Sequence, residues 1–342
     1  MIRKYLFSLD YLRGFAAISV CLFHFTDKLD YLQINDPIKK IFSSGHFGVE
    51  IFFIISGLVI PYSMMKGNYT LRKLVTFLKK RFIRIEPPYL LCVALVLLLN
   101  YITTQTFFYK GNPFVIDHMQ IFYHVGYLTA FMGKEWLNQI FWTLAIEFQY
   151  YLLIALIFPL ISHKNNYILI STLVIFNALS LYVDRNIVFN FSIYFTTGIL
   201  LYRYLAKKFG KIELFLSLCI VLAFLVMRYT YEEITVVLFT ITIILIPLNP
   251  TPLSTFFGNI SYSLYLLHMP VGLRLINLTQ RFSDTELVRQ GIVLVAFLLT
   301  VFVSYYYYRI IEKPFKKLSQ KIKYEDHKEI SATGTLTTQT IP

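Results

Sequence analysis

Apolar runs of about 17–25 residues recur from one end of this chain to the other, each long enough to cross ~30 Å of hydrocarbon. The runs are continuous rather than alternating, which argues for helices and against a β-barrel. Composition agrees. The chain is 56% hydrophobic and only 15% charged, with a mean hydropathy of +0.59, outside the range of an ordinary soluble domain of 342 residues. The expected fold is all-α, a polytopic transmembrane helical bundle of about ten spans. These fall near 6–26, 46–65, 87–104, 140–161, 167–183, 187–205, 212–228, 233–248, 257–277 and 287–310.

The first run follows Arg3 and Lys4 as a signal peptide would, but it contains Asp10 and Arg13 and no small-residue cleavage site. It is expected to stay as the first span. An even number of spans puts both termini on one side. Lys and Arg favour the segments on the N-terminal side by about two to one, which makes that side cytoplasmic. The same distribution accounts for the net charge of +13 without any nucleic-acid partner. The membrane domain is expected to cover 1–316, with 317–342 a polar, disordered cytoplasmic tail. Segment 105–139 is too polar for a clean span. Cys21, Cys92 and Cys219 all lie in apolar runs and form neither a disulfide framework nor a metal cluster.

Charge inside lipid is costly and faces the bundle interior or a wet cavity. In "YLRGFAAISVCLFHF", Arg13 and His24 are eleven positions apart. At ~100° per residue they share a face, ~16 Å apart along the axis. Arg13 also has Asp10 as an i,i+3 neighbour. Three further runs each add an ionisable group at the outer level: Glu50 in "HFGVEIFF", Glu147 in "FWTLAIEFQYYL" and His268 in "SYSLYLLHMPV". A cytoplasmic set lies in "LKKRFIRIEPPYLL". There Arg81 and Arg84 are one turn apart, just before Pro87 and Pro88 open the third span. Two guanidiniums on one face suit a phosphate; taken alone, a cytoplasmic anchor that binds anionic membrane lipid is the better reading of them.

Six stretches occur in order: "LDYLRGFAAISVCLFH", "GHFGVEIFFIISGLVIP", "KKRFIRIEPPYL", "FWTLAIEFQYYLL", "NISYSLYLLHMPV" and "YRIIEKPF". Together they resemble the acyltransferase-3 family of integral membrane acyltransferases over roughly 6–316. The resemblance implies transfer of an acyl group, most often acetyl, to a hydroxyl of a surface or exported carbohydrate. Lipopolysaccharide O-antigen is a common acceptor. The implied donor is cytoplasmic acetyl-coenzyme A, with no permanently bound cofactor, and the implied location is the bacterial inner membrane. It makes His24 the catalytic histidine, Arg13 its partner, and Arg81 and Arg84 the basic pair. Glu50 stands where many relatives carry Asp. The esterase-like extra domain of some members is not read here, so a relay through it is not expected.

These residues set out a mechanism. Arg13, Arg81 and Arg84 would hold the phosphates of the donor. His24 would take the proton of a sugar hydroxyl, and Glu147 would orient His24 or stabilise its cation. Trp142 would stack on the sugar or anchor the interface. Cys21, three residues before His24, offers a covalent alternative. A transporter would use intramembrane His, Glu and Arg as well, but no inverted repeat is visible. A carbohydrate-binding subunit without catalysis is the third reading.

Overall fold

A computed structural model describes residues 2–27, 32–106, 111, 114–183, 187–280 and 285–324. The expected tail beyond 324 lies outside the described residues. All regular structure among the described residues is helical. The α-helices are α1 (Ile2–Asp27), α2 (Pro37–Phe42), α3 (Gly48–Lys66), α4 (Leu74–Thr104), α5 (His118–Val125), α6 (Phe141–Ile161) and α7 (Asn166–Ala178). There follow α8 (Ser192–Leu205), α9 (Lys211–Arg228), α10 (Tyr231–Leu245), α11 (Pro252–Leu267), α12 (Arg274–Thr279), α13 (Glu286–Tyr307) and α14 (Lys313–Lys321). Each of the ten expected runs holds a helix. Among the described residues, four continuous helical stretches are long and apolar enough to cross a membrane: Pro37–Lys66, Leu71–Thr104, Phe141–Ile161 and Glu286–Lys321.

The third run differs most from expectation. Pro87 and Pro88 do not open it; they lie inside α4, which begins at Leu74 and carries Arg81 and Arg84 in mid-helix. Proline removes a helix donor and crowds the preceding turn. Tyrosines of two other helices bond carbonyls close to the proline pair. Tyr262 donates to Ile85 O at 3.1 Å, and Tyr307 donates to Pro88 O. The ninth and tenth runs are broken by π turns, His268–Leu273 after α11 and Tyr308–Glu312 after α13. The boundary expected at 316 falls inside α14.

Two helix crossings bring backbones together. α3 packs on α8, where a Cβ on Gly57 would lie 2.3 Å from Phe195 O and one on Gly198 2.1 Å from Ile54 O. α1 packs on α11, where a Cβ on Gly14 would meet Phe257 Cβ at 2.8 Å and one on Gly258 would meet Asp10 Cβ at 2.7 Å. Small residues at such crossings let helices associate where lipid supplies no hydrophobic drive between them. The closeness of α1, α3 and α11 sets the width of the space between them.

The part of segment 105–139 from 114 onward is tied down by a buried histidine. His124 at the end of α5 donates from Nδ1 to Gln120 O (2.8 Å), and its Nε2 accepts from the Leu137 amide (2.9 Å). Tyr89 of α4 donates to His124 O at 3.1 Å.

Candidate active site

A cavity of about 1020 Å³, part of it open to solvent, lies between α1, α3, α4, α6, α11 and the end of the last helical stretch. Its wall carries four cations, Arg13, Arg81, Arg84 and Lys316, against two carboxylates, Glu147 and Glu312. The carboxylates are already engaged. Glu147 Oε1 accepts from Ser56 Oγ (2.9 Å) and Tyr151 OH (2.6 Å), and Glu312 Oε2 accepts from Ser263 Oγ (2.6 Å). The Arg81 guanidinium lies over the rings of Phe77 (5.4 Å) and Tyr151 (5.6 Å). Among the described residues, Arg13, Arg84 and Lys316 make no hydrogen bond and no ion pair within 4.0 Å. A partly buried wall of unneutralised cations favours an anionic occupant.

The far end of the cavity stops at Val49, Phe52, Thr143 and Tyr265. Thr143 Oγ1 lies 2.8 Å from Tyr265 OH, and both hydroxyls reach Ile140 O, at 2.8 Å and 3.5 Å. The Tyr265 ring meets Phe52 edge-on at 5.8 Å on one side and His268 at 5.7 Å on the other. Beyond it, His268 stacks on His24 with ring centroids 5.2 Å apart and planes 19° apart. His268 Nδ1 is 2.7 Å from Tyr265 O. A carbonyl only accepts, so Nδ1 carries the proton of the neutral ring and Nε2 keeps a lone pair. π turns favour functional positions, and this one begins at His268.

The structure therefore gathers Arg13, Arg81, Arg84 and Glu147 in one cavity and sets His24 with His268 beyond its end. No hydrogen bond joins Glu147 to His24 among those described; Ser56 and Tyr151 hold that carboxylate, and His24 lies against the rings of Phe23 and His268. Trp142 packs on Phe191 at 5.4 Å and does not line the cavity. Asp10 stays within electrostatic reach of Arg13 and Lys316 without lining it. Glu50, in the first turn of α3, does not line the cavity but stays within electrostatic reach of Tyr194, Glu233 and Tyr265. Its Oε2 is buried without a hydrogen bond among the described residues. Cys21 is fully buried among Ala17, Phe25 and Leu264, an inert packing position.

Sequence reasoning missed Ser56, Tyr151, Thr143, Tyr265, Glu312 and Lys316. "YRIIEKPF" was the available signal for Glu312, since it places a carboxylate inside a helical run.

The sequence model of the family described as an acyltransferase domain matches residues 6–309. The chain belongs to the acyltransferase-3 family. It is 28% identical to the O-acetyltransferase OatA of Staphylococcus aureus over 373 aligned positions, covering 92% of this chain and 58% of the relative. It is 30% identical to the peptidoglycan O-acetyltransferase OatA of Listeria monocytogenes over 166 positions, covering 44% of this chain and 24% of the relative. The chain thus spans less than two thirds of the length of these relatives. No solved structure matches it.

Proposed function

We propose that this chain transfers an acyl group, acetyl first, from coenzyme A thioester to a hydroxyl of a cell-envelope carbohydrate. The observation that carries this reading is the cationic cavity that ends one aromatic ring short of the His24–His268 pair. The phosphates of the donor would sit among Arg13, Arg81 and Arg84, because planar guanidiniums complement phosphate oxygens. The pantetheine arm would extend past Glu147 toward Tyr265. His24 would take the proton of the sugar hydroxyl as its oxygen bonds to the thioester carbonyl carbon. The carbon–sulfur bond then breaks, and the proton passes from His24 to the departing sulfur, leaving free coenzyme A thiol. His268 would hold the ring plane of His24 by stacking. Passage to the histidines requires the Tyr265 side chain to move.

This reading is paired with a topology of ten spans, with both termini and the arginine end in the cytoplasm and the histidine end outside, in a bacterial inner membrane. The charge asymmetry of the sequence supports it. For the acceptor, the Listeria relative's name adds peptidoglycan to the lipopolysaccharide glycan suggested by the motifs. The test is incubation of purified protein with labelled acetyl-coenzyme A and each glycan. Release of coenzyme A matched by label on a glycan supports the reading. Binding of either substrate without release would assign a transporter or a carrier subunit.

A further inference from the structure

Basic residues after the last span read in sequence as a positively charged cytoplasmic flank. One of them has a different place in the fold. The π turn at Tyr308–Glu312 inserts a residue into the helix and so rotates α14 by ~100° relative to α13. Glu312 and Lys316, at i and i+4, then share the face that lines the cavity, while Lys313 and Lys317 are exposed. Two hydrogen bonds fix this register against α4: Ser319 Oγ donates to Lys80 O at 2.8 Å, and Lys80 Nζ donates to Ile322 O at 2.6 Å. Glu312, 8% exposed, is anchored by Ser263.

Lys316 is thereby held within electrostatic reach of Arg84 and Arg13, two like charges. Glu312 and Asp10 are in reach too, but Lys316 bonds to neither. A lysine that served only as a flank charge would extend to the headgroups. This one is half-buried in a cavity wall beside two arginines, an arrangement that repels itself until an anion enters. A compact ammonium with three donors binds phosphate as a point charge, complementing the flat forks of the arginines.

We propose that Lys316 is a phosphate-binding residue of this cavity and takes one of the phosphates of coenzyme A. The inference rests on the donor reading above. Coenzyme A offers two sources of that chemistry, its diphosphate and its 3′-phosphate.

The test measures binding of coenzyme A and of dephospho-coenzyme A, which lacks the 3′-phosphate, to the purified full chain in detergent. The variants are Lys316→Ala, Lys316→Arg and Lys317→Ala, with thermal midpoints recorded for each. A charged hydrogen bond lost to Lys316→Ala should raise the Kd for coenzyme A roughly tenfold to a hundredfold. Lys316→Arg should recover part of the affinity, and Lys317→Ala should bind as wild type does. If the defect of Lys316→Ala disappears with dephospho-coenzyme A, the residue holds the 3′-phosphate; if it persists there, the residue holds the diphosphate. Wild-type affinity in Lys316→Ala, or an equal loss in Lys317→Ala, overturns the proposal while the donor reading stands. A wild-type chain that binds no coenzyme A removes the donor reading and this proposal together.

Discussion

At the scale of the residue, Glu147 accepts two hydroxyl protons on one oxygen, and an amide oxygen at that position can accept both. Glu147→Gln should therefore fold normally, whereas Glu147→Ala leaves Ser56 and Tyr151 without their acceptor and should lose about 1–3 kcal/mol of stability. Loss of the negative charge among three arginines should tighten the anionic donor severalfold while kcat stays within a few-fold of wild type. Steady-state kinetics of the Gln variant checks this, and a hundredfold fall in kcat would return Glu147 to the proton-transfer step. His24→Ala should cost ~10²–10⁴ in rate with insertion intact. Acceptor labelling at matched expression decides it; activity above about a tenth of wild type removes His24 as the base. Arg13 and His24 stood out in sequence because an ionisable group in an apolar run has few stable places to go, and Arg81 and Arg84 because they share a face one turn apart. Ser56, Thr143, Tyr151 and Tyr265 were not, because hydroxyls and tyrosines are ordinary in membrane helices and only their partners mark them. Lys316 was hidden by its neighbours, since Lys313 and Lys317 do behave as surface charge.

At the scale of the element, sequence periodicity located the helices but not their continuity. Pro87 and Pro88 signalled a start and proved to lie inside α4, where Tyr262 and Tyr307 of other helices bond the nearby Ile85 and Pro88 carbonyls. The two π turns were equally invisible, since their cost is met by tertiary contacts. Segment 105–139 adds a pH dependence of its own. Burial holds the His124 ring below its ordinary value of 6.5, partly offset by its bond to Gln120 O. Its Nε2 must stay unprotonated to accept from Leu137. In the interval between the folded and unfolded values, the unfolded chain binds more protons. The stability contributed by the neutral ring is thus complete above about 6.5 and is lost as pH falls below it. Thermal midpoints measured from ~pH 8 to ~pH 5 should fall in the wild type, and the fall should be shallower in His124→Gln. Equal slopes in the two proteins would show that other groups govern the acid response.

At the scale of the whole molecule, the bundle is set by where backbones touch. Gly198→Ala forces a methyl to within 2.1 Å of Ile54 O and should cost about 1–3 kcal/mol or more, separating α3 from α8 and loosening the α3 wall of the cavity. Gly291→Ala in α13 meets nothing within 4 Å and should be neutral or stabilising by about 0.5–1 kcal/mol through helix propensity. Unfolding of both variants in detergent makes the comparison; equal midpoints would show that the α3–α8 crossing yields without cost. The ring of Tyr265, wedged between Phe52 and His268 with its hydroxyl tied to Thr143, has a consequence for the cell as well. It makes the cavity a blind alley rather than a pore. A ring in that place should stop hydrated ions at rest, so a bilayer crowded with copies of this chain is expected to keep its ion gradients. In liposomes the wild type should be as tight to protons as lipid alone, and Tyr265→Ala should leak.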